Sequence, residues 1–151
     1  MAVKPIPEGY HSVTPYLVVR GAEKTIEFLE KAFGAEVTFE PMKRPDGTIL
    51  HTELQIGDSR IMLSEATSEH KPLPTMLYLY VPDVDASYRQ ALAAGGSKMK
   101  DPEDQFFGDR TAGVKDPSGN HWELATRKEN VSPQEAKKRA ETKFKQGSKA
   151  A

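Results

Sequence analysis

The chain has 151 residues, and its 21 basic and 22 acidic side chains give a formal net charge of −1 at pH 7. A protein that wraps nucleic acid or lies on a membrane surface needs a clear basic excess, so the charge balance argues against both partners. Four histidines and no cysteine are present, which excludes disulfides, thiolate zinc sites and thiol nucleophiles. Any metal would therefore need histidine and carboxylate ligands.

No stretch approaches the roughly 18 consecutive apolar residues of a membrane span, and the N-terminus lacks the apolar core of a signal peptide. We therefore expect a cytoplasmic protein. The length predicts a single domain with one core. We assign this domain to residues 1–128 and a separate tail to residues 129–151.

The first half of the chain has the pattern of a strand, a helix and three further strands. An apolar, β-branched run comes first, and Ile26, Leu29 and Phe33 then recur at the spacing of one helix face. Gly34 ends this helix, and Gly57 marks the turn before the last strand. The predicted elements cover about residues 13–19, 22–33, 36–42, 48–56 and 61–63.

The second half repeats this order, with an offset of 62 residues at its start and 61 at its end. Leu17 aligns with Leu79 in the first strand of each half, and Ile61 aligns with Trp122 in the last. Repetition of this length indicates two copies of one β-α-β-β-β module. The modules cover about residues 12–70 and 74–128, and the elements of the second lie at about 76–81, 84–94, 97–100, 111–115 and 122–124.

The tail carries the sequence pattern of a helix start. Ser132 is a predicted N-cap, Pro133 suits the first helical position, and Glu135 completes a capping box. The stretch that follows is rich in lysine, glutamate and alanine, and its apolar content is chiefly Phe144. We expect a weakly docked helix.

The paired modules, together with the closing turn over residues 116–122, resemble the vicinal oxygen chelate superfamily. This superfamily includes glyoxalase I, bleomycin-resistance proteins and extradiol dioxygenases. The resemblance implies an α+β fold in which paired βαβββ modules form an eight-stranded curled sheet around a cleft, usually completed in a homodimer, with a C-terminal helical tail added here. Four stretches are similar to the PhnB-like branch: residues 9–16, 51–59, 107–110 and 130–133.

The resemblance also implies where a metal would be bound. In metal-dependent members four ligands come from the first and last strands of the modules, and they align with Thr14, Met62, Met76 and Glu123. Glyoxalase-type enzymes carry histidine, a carboxylate or an amide at each of these positions, whereas this chain keeps only Glu123. Because one carboxylate cannot hold a divalent ion, we expect no metal and no other cofactor.

Strand alternation predicts which side chains line the cleft. The opposite faces of the same strands are almost wholly apolar, as expected where they pack against helices. Methionine, tyrosine and a few polar groups suit a flat, partly apolar organic molecule. The predicted inward residues are Thr14, Tyr16, Met62, Ser64, Met76, Tyr78, His121 and Glu123, with Arg60 near the rim.

Glu123 is the candidate catalytic residue, because a carboxyl group buried beside methionines can act as a general base. The alternative is a partly solvated carboxylate that bonds to a tyrosine or to His121. His51 and Glu53 lie two residues apart on one strand face, and His121 and Glu123 repeat this spacing. These four residues predict either a rebuilt metal site or hydrogen bonding in the cleft or at an interface.

Arg110 could clamp a carboxylate or phosphate of a ligand, or it could form a salt bridge that ties down the preceding loop. Phe107 and its neighbour Phe106 are candidates for a lid, a dimer contact or a loop anchor. The full set of expected ligand-binding residues is Thr14, Tyr16, His51, Glu53, Met62, Met76, Tyr78, Phe107, Arg110 and His121.

Three functions follow from the sequence. The first is a homodimer that binds a small organic molecule in a metal-free cleft, for sequestration or for a metal-independent reaction. The second is a metal-dependent glyoxalase-type lyase or isomerase, or a dioxygenase, with Glu123 as ligand or general base. The third is a protein-interaction module with a vestigial cleft. Whether the chain is an enzyme stays open at this point.

Overall fold

The computed structural model describes residues 2–150, with side chains described up to residue 146. Within this range the chain forms eight strands and three helices. Their bounds are β1 (Tyr16–Val19), α1 (Ala22–Phe33), β2 (Glu36–Lys43), β3 (Ile49–Ile56), β4 (Ser59–Glu65), β5 (Met76–Tyr80), α2 (Val84–Ala93), β6 (Ser97–Asp104), β7 (Asp109–Lys115), β8 (His121–Arg127) and α3 (Pro133–Ala150).

The strands form two four-stranded sheets, with the order β1-β4-β3-β2 in the first sheet and β5-β8-β7-β6 in the second. In each sheet the first and last strands of the module pair in parallel, and the other pairs are antiparallel. Tyr16 lies opposite Met62 in the first sheet, and Tyr78 lies opposite Glu123 in the second. The internal repeat is therefore a structural repeat, which confirms the α+β fold of two βαβββ modules with a C-terminal helix.

One hydrophobic core spans both modules. Helices α1 and α2 pack against each other, and they cover one face of each sheet. Alternation along the strands accounts for this arrangement, because the apolar residues predicted to face the helices are the buried ones. Leu17, Val19, Ile61, Leu63, Trp122 and Leu124 are buried, and Leu77 and Leu79 are partly buried against the same core.

Helix α1 begins at a cap that β4 provides. Gly21 adopts a left-handed conformation with φ of 80°, which costs a residue without a Cβ little. The Glu65 carboxylate on β4 accepts hydrogen bonds from the backbone N–H groups of Gly21 at 3.1 Å and Ala22 at 2.9 Å. It thereby satisfies donors that every helix N-terminus leaves free.

The turn before β8 is built around a buried carboxylate. Asp116 is 3% exposed, and it accepts hydrogen bonds from the backbone N–H groups of Ser118 and Asn120 at 2.9 and 3.0 Å. It also accepts from the Asn120 side chain at 3.0 Å and from the Trp122 indole at 2.9 Å. The aspartate of the closing turn therefore fixes the start of β8, which carries His121 and Glu123.

The predicted strand bounds differ from the observed ones by one to four residues, and the differences at β1 and β6 have a clear cause. The first strand begins at Tyr16 rather than at residue 13, since Pro15 has no N–H to donate to a ladder. Thr14 consequently lies before β1 rather than within it. Strand β6 extends to Asp104 rather than to residue 100, because two register shifts keep it paired with β7 past Pro102.

The tail forms α3, as predicted. The Ser132 hydroxyl accepts a hydrogen bond from the Glu135 backbone N–H at 3.1 Å. Arg139 docks the helix, because its Nη1 atom donates to the Phe106 carbonyl at 3.2 Å and to the Glu129 carboxylate at 2.6 Å. Phe144 is 71% exposed, so α3 buries little apolar surface. No helix in the described part of the chain is long and apolar enough to cross a membrane.

Candidate functional site

Each sheet has one face that the helices do not cover, which we call its open face. Large side chains are exposed there although they belong to regular strands, and this is unusual for residues of their size. They form a partly apolar surface that the chain itself leaves uncovered. The exposed strand residues include Tyr16, Phe39 and Met42 in the first sheet and Met76, Tyr78, Tyr80 and Met99 in the second.

The open face of the first sheet carries a chain of hydrogen bonds between ionisable groups. The Tyr16 hydroxyl lies 3.2 Å from His51 Nδ1, and His51 Nε2 lies 2.7 Å from Glu53 Oε2. The Tyr10 hydroxyl donates to the other oxygen of Glu53. Edge-on contact with the Phe39 ring, whose centroid is 5.7 Å away, helps to hold the imidazole. We call Tyr10, Tyr16, His51 and Glu53 the first-sheet cluster.

The first-sheet cluster favours an ionised Glu53. Burial raises the pKa of this carboxyl, but hydrogen bonds from Tyr10 and His51 outweigh burial, so the pKa lies below its ordinary value. The pKa of Tyr10 is raised by burial and by its bond to Glu53. The Arg60 guanidinium packs over the Tyr10 ring at 5.3 Å from the centroid, which closes this end of the cluster.

The open face of the second sheet carries Glu123, whose side chain is 13% exposed. Lys100 Nζ lies 3.4 Å from Glu123 Oε2 and 2.8 Å from the Thr111 hydroxyl. His121 Nε2 lies 3.8 Å from Glu123 Oε1, too far for a hydrogen bond. Both of these atoms are buried without a partner in the described part of the chain. A hydrogen bond between His121 and Glu123, one of the alternatives that the sequence left open, is therefore not formed.

Gly113 lies next to these two unpartnered atoms, and its lack of a side chain allows the close packing there. A Cβ at Gly113 would come within 3.2 Å of both Glu123 Oε1 and His121 Nε2. We call Lys100, Gly113, His121 and Glu123 the second-sheet cluster.

Asp109 fixes the two tyrosines of the second open face. Its carboxylate accepts hydrogen bonds from the hydroxyls of Tyr78 and Tyr80, each at 2.8 Å, and from Arg127 Nε at 2.6 Å. Burial raises the pKa of this carboxyl, but the three hydrogen bonds outweigh burial and lower it. Burial and the neighbouring carboxylate raise the pKa of Tyr78. Tyr78 is thus held as a neutral phenol, and Asp109 fixes the positions of both hydroxyls.

Arg110 is occupied by protein carboxylates. It binds Asp85 through Nε at 2.9 Å and Nη2 at 3.1 Å, and it binds Asp104 through Nη1 at 3.2 Å. These contacts correspond to the salt bridge that ties down the loop before β7, and they leave the guanidinium little room for a ligand. Phe107 packs edge-on against Phe106, with centroids 5.3 Å apart, beside α3.

The residues at the inherited metal positions do not fit a divalent ion. Met62 and Met76 offer thioethers, Thr14 lies outside the strand, and Glu123 is the one carboxylate. The rebuilt site needs both His-x-Glu pairs, yet one pair lies on β3 and the other on β8, in different sheets. Among the residues whose side chains are described, no three acidic or histidine side chains are placed to share one ion.

The members of this surface that the sequence did not reveal include Tyr80, Tyr10 and Lys100. Tyr80 has the strand parity of Tyr78, so alternation alone could have identified it. Tyr10 reaches Glu53 across 43 residues of chain, and Lys100 reaches Glu123 across a bulged strand pair. Neither contact has a local sequence signal.

The family model described as the Glyoxalase/Bleomycin resistance protein/Dioxygenase superfamily matches residues 9–124. Uncharacterized protein Mb0911c of Mycobacterium bovis is 36% identical over 124 residues, which cover 75% of this chain and 81% of that protein.

Solved structures with the same fold include two bacterial proteins. TioX from Micromonospora sp. ML1 superposes with a TM-score of 0.61 at 21% identity, covering 81% of this chain and all of that one. The PhnB protein from Bacillus cereus superposes with a TM-score of 0.62 at 18% identity, covering 77% of this chain and 99% of that one.

Proposed function

The chain belongs to the Glyoxalase/Bleomycin resistance protein/Dioxygenase superfamily, and on that premise we propose that it binds a small organic molecule on its open faces without a metal ion. The observation that carries this proposal is the exposure of tyrosine and methionine within regular strands. Tyr16, Met76 and Tyr78 are 47%, 57% and 44% exposed. Such side chains offer apolar contact area to a flat ligand, and the tyrosine hydroxyls stay fixed by hydrogen bonds.

The metal-free part of the proposal rests on the donor set. Two thioethers, a hydroxyl and one carboxylate provide too few oxygen ligands for a hard divalent ion, because thioethers bind such ions poorly. The motifs at residues 9–16 and 51–59, which are similar to the PhnB-like branch, contribute Tyr10, His51 and Glu53 to the first open face. We assign the protein to that branch as part of the same proposal.

We propose that the protein binds its ligand as a homodimer. Each open face presents half of a cleft, and exposed apolar side chains of this size normally mark an interaction or ligand surface. A second copy could place one open face against the other and enclose a ligand between them. The mass of such an assembly is twice 16.7 kDa.

Thermal denaturation with aromatic carboxylic acids tests the binding proposal. We expect naphthalene-2-carboxylate to raise the melting temperature of the wild-type protein in a concentration-dependent way, since a ligand of the native state stabilises it. Tyr78→Ala should abolish the rise, and Phe144→Ala, which removes an exposed aromatic side chain from α3, should preserve it. If no compound of an aromatic acid panel stabilises the protein, the flat aromatic ligand is ruled out, and without binding of any other small molecule a protein-interaction module with a vestigial cleft replaces this proposal.

A second candidate function is catalysis with Glu123 as general base. Its Oε1 atom is buried without a partner in the described part of the chain, next to Gly113, and an unpaired buried carboxylate oxygen can accept a proton from a ligand that displaces its neighbours. Equilibrium dialysis against Zn²⁺ and Mn²⁺ separates this metal-independent reading from a glyoxalase-type lyase, isomerase or dioxygenase. One ion bound per chain in the wild type, and lost in Glu123→Ala or His51→Ala, would contradict the metal-free proposal.

A further inference from the structure

We infer that Tyr16, His51 and Glu53 form a proton relay that acts on a small 2-oxo carboxylic acid bound beside Tyr16. The inference deepens the proposed function and depends on it only in requiring that a small molecule reaches the first open face. The relay lies wholly within one module, and it uses neither Glu123 nor a metal ion.

The hydrogen bonds define the direction of the relay. Glu53 stays ionised and can only accept, so the 2.7 Å contact requires a proton on His51 Nε2. In the neutral imidazole the other nitrogen, Nδ1, is then an acceptor, and the Tyr16 hydroxyl donates to it at 3.2 Å. A phenol oriented in this way can accept a proton from a ligand while it passes its own proton to the histidine.

Tyr16 also lines a cavity of about 280 Å³, and it is the residue that belongs to both the relay and the cavity. A water molecule in the liquid takes up about 30 Å³, so this space suits a molecule of on the order of nine non-hydrogen atoms. The other lining residues are Val18, Arg44, Leu50, Ser64 and His70.

Arg44 provides the anchor for a carboxylate. Its Nη1 atom donates to the Thr48 hydroxyl at 3.1 Å and to the carbonyl oxygens of Ile49 at 3.2 Å and Glu65 at 3.4 Å, which fixes the guanidinium. Nε and Nη2 have no acceptor and Arg44 has no ion-pair partner among the residues described. These free donors match the two oxygens of a carboxylate.

The Ser64 side chain adds a second polar contact in the same cavity. The residue is 7% exposed, and its hydroxyl makes no hydrogen bond to another side chain or to a backbone group that the structure describes. An oxygen on the carbon next to the carboxylate could bond to this hydroxyl. The cavity therefore contains the Arg44 guanidinium, which can bind a carboxylate, the Ser64 hydroxyl and the Tyr16 phenol bonded to His51. Together these groups fit a 2-oxo acid.

The chemical step is a proton transfer without oxidation or reduction. The C3 proton of the 2-oxo acid, which the neighbouring carbonyl acidifies, passes to the Tyr16 oxygen while the tyrosine proton passes to His51 Nδ1. The products are an enolate and an imidazolium that the Glu53 carboxylate stabilises. Return of the protons in the reverse order restores the acid. Tyr16 is the catalytic residue, and His51 and Glu53 act through it.

Hydrogen–deuterium exchange of 2-oxobutanoate in D₂O tests the inference. Loss of the C3 proton signal in the NMR spectrum is followed with protein treated with EDTA. We expect the wild type to accelerate exchange, and Tyr16→Phe to return it to the rate of buffer alone. Glu53→Gln should lower kcat by about 100-fold or more with KM little changed, whereas Arg44→Gln should raise KM. Glu40→Gln, which removes an exposed carboxylate from the same sheet, should match the wild type.

Exchange at the buffer rate in the wild type, or equal exchange in the wild type and Tyr16→Phe, would overturn the relay. Melting curves of each variant show whether it is folded. The relay and the proposed function fail separately. Stabilisation by naphthalene-2-carboxylate without exchange removes the relay alone, and exchange without stabilisation by any aromatic acid removes the flat aromatic ligand alone.

Discussion

Asp109 is the side chain on which the second open face most depends. It is 2% exposed, and its three hydrogen bonds connect β7 to Tyr78 and Tyr80 on β5 and to Arg127 at the end of β8. The sequence instead predicted its neighbour Arg110 as a ligand-binding residue, because arginine commonly binds a carboxylate through two hydrogen bonds. The role of Asp109 could not be predicted, since its partners lie 18 to 31 residues away in the chain.

We predict that Asp109→Asn destabilises the protein by about 3 kcal/mol at pH 7, because a buried charged network loses one partner. The pKa of Asp109 is lower in the folded chain, so its contribution is present above the unfolded pKa of about 3.9 and is lost as the pH falls through the folded value. Urea denaturation between pH 7 and pH 3 measures both effects.

The difference in stability between wild type and Asp109→Asn should therefore shrink as the solution becomes acidic. Asp58→Asn, at an exposed turn position, is the matched control, and it should differ little from the wild type at any pH. A difference that stays constant down to pH 3 would show that Asp109 does not stabilise the fold as a carboxylate.

Tyr10 controls the charge of Glu53 in the first-sheet cluster. We predict that Tyr10→Phe raises the pKa of Glu53, since it removes a hydrogen bond that stabilises the carboxylate. Carboxyl ¹³C chemical shifts followed through a pH titration report this pKa directly. Tyr88→Phe, which removes a hydroxyl bonded to Asp101 instead, should leave Glu53 unchanged. An unchanged titration in Tyr10→Phe would mean that the tyrosine does not set this ionisation.

The start of α1 depends on a residue outside the helix. We predict that Glu65→Ala lowers the free energy of unfolding by about 1 kcal/mol, the usual effect of removing a helix cap, and speeds hydrogen exchange at the amides of Gly21 and Ala22. Urea denaturation and amide exchange measure the two effects. Glu69→Ala is the control, because this exposed glutamate caps no helix. Equal exchange in both variants would contradict the role of Glu65.

Helix bounds were predicted well because their signals are local. The predicted helix over residues 22–33 matches Ala22–Phe33, and the one over 84–94 ends one residue earlier, at Ala93. Strand ends were predicted less well, because they depend on pairing. Pro15 delays the start of β1, and the bulged register with β7 lengthens β6. Neither effect can be read from alternation alone.

At the scale of the whole molecule, the open face of each sheet is covered neither by the helices nor by the other module in the part of the chain that the structure describes. We predict that the protein is a dimer in sedimentation-equilibrium experiments and that Met99→Glu, which places a charge on the second open face, shifts it to a monomer. Met99 is 44% exposed, so the substitution does not disturb the core. Phe144→Glu, at an exposed apolar position of α3, should remain a dimer. A wild-type monomer at all concentrations would remove the dimer from the proposal.

Much of the candidate surface was predictable, because alternation identifies which strand residues leave the core. Tyr16, Met76 and Tyr78 are exposed, and six of the eight apolar side chains predicted to face the helices are buried. The hydrogen bonds that give this surface its chemistry were not predictable. Contacts such as Tyr10 with Glu53 and Tyr78 with Asp109 join segments far apart in the chain, and only the folded topology brings them together.

We propose that the open faces bind a small organic molecule without a metal ion. Methyl NMR spectra of protein labelled at the methionine and isoleucine methyl groups, titrated with naphthalene-2-carboxylate in the presence of EDTA, test this proposal. We predict that the signals of Met62, Met76 or Met99 shift and saturate while the signal of Ile26 in the core stays in place. Methionine signals that stay in place, or that move only after a divalent metal replaces EDTA, would contradict the claim.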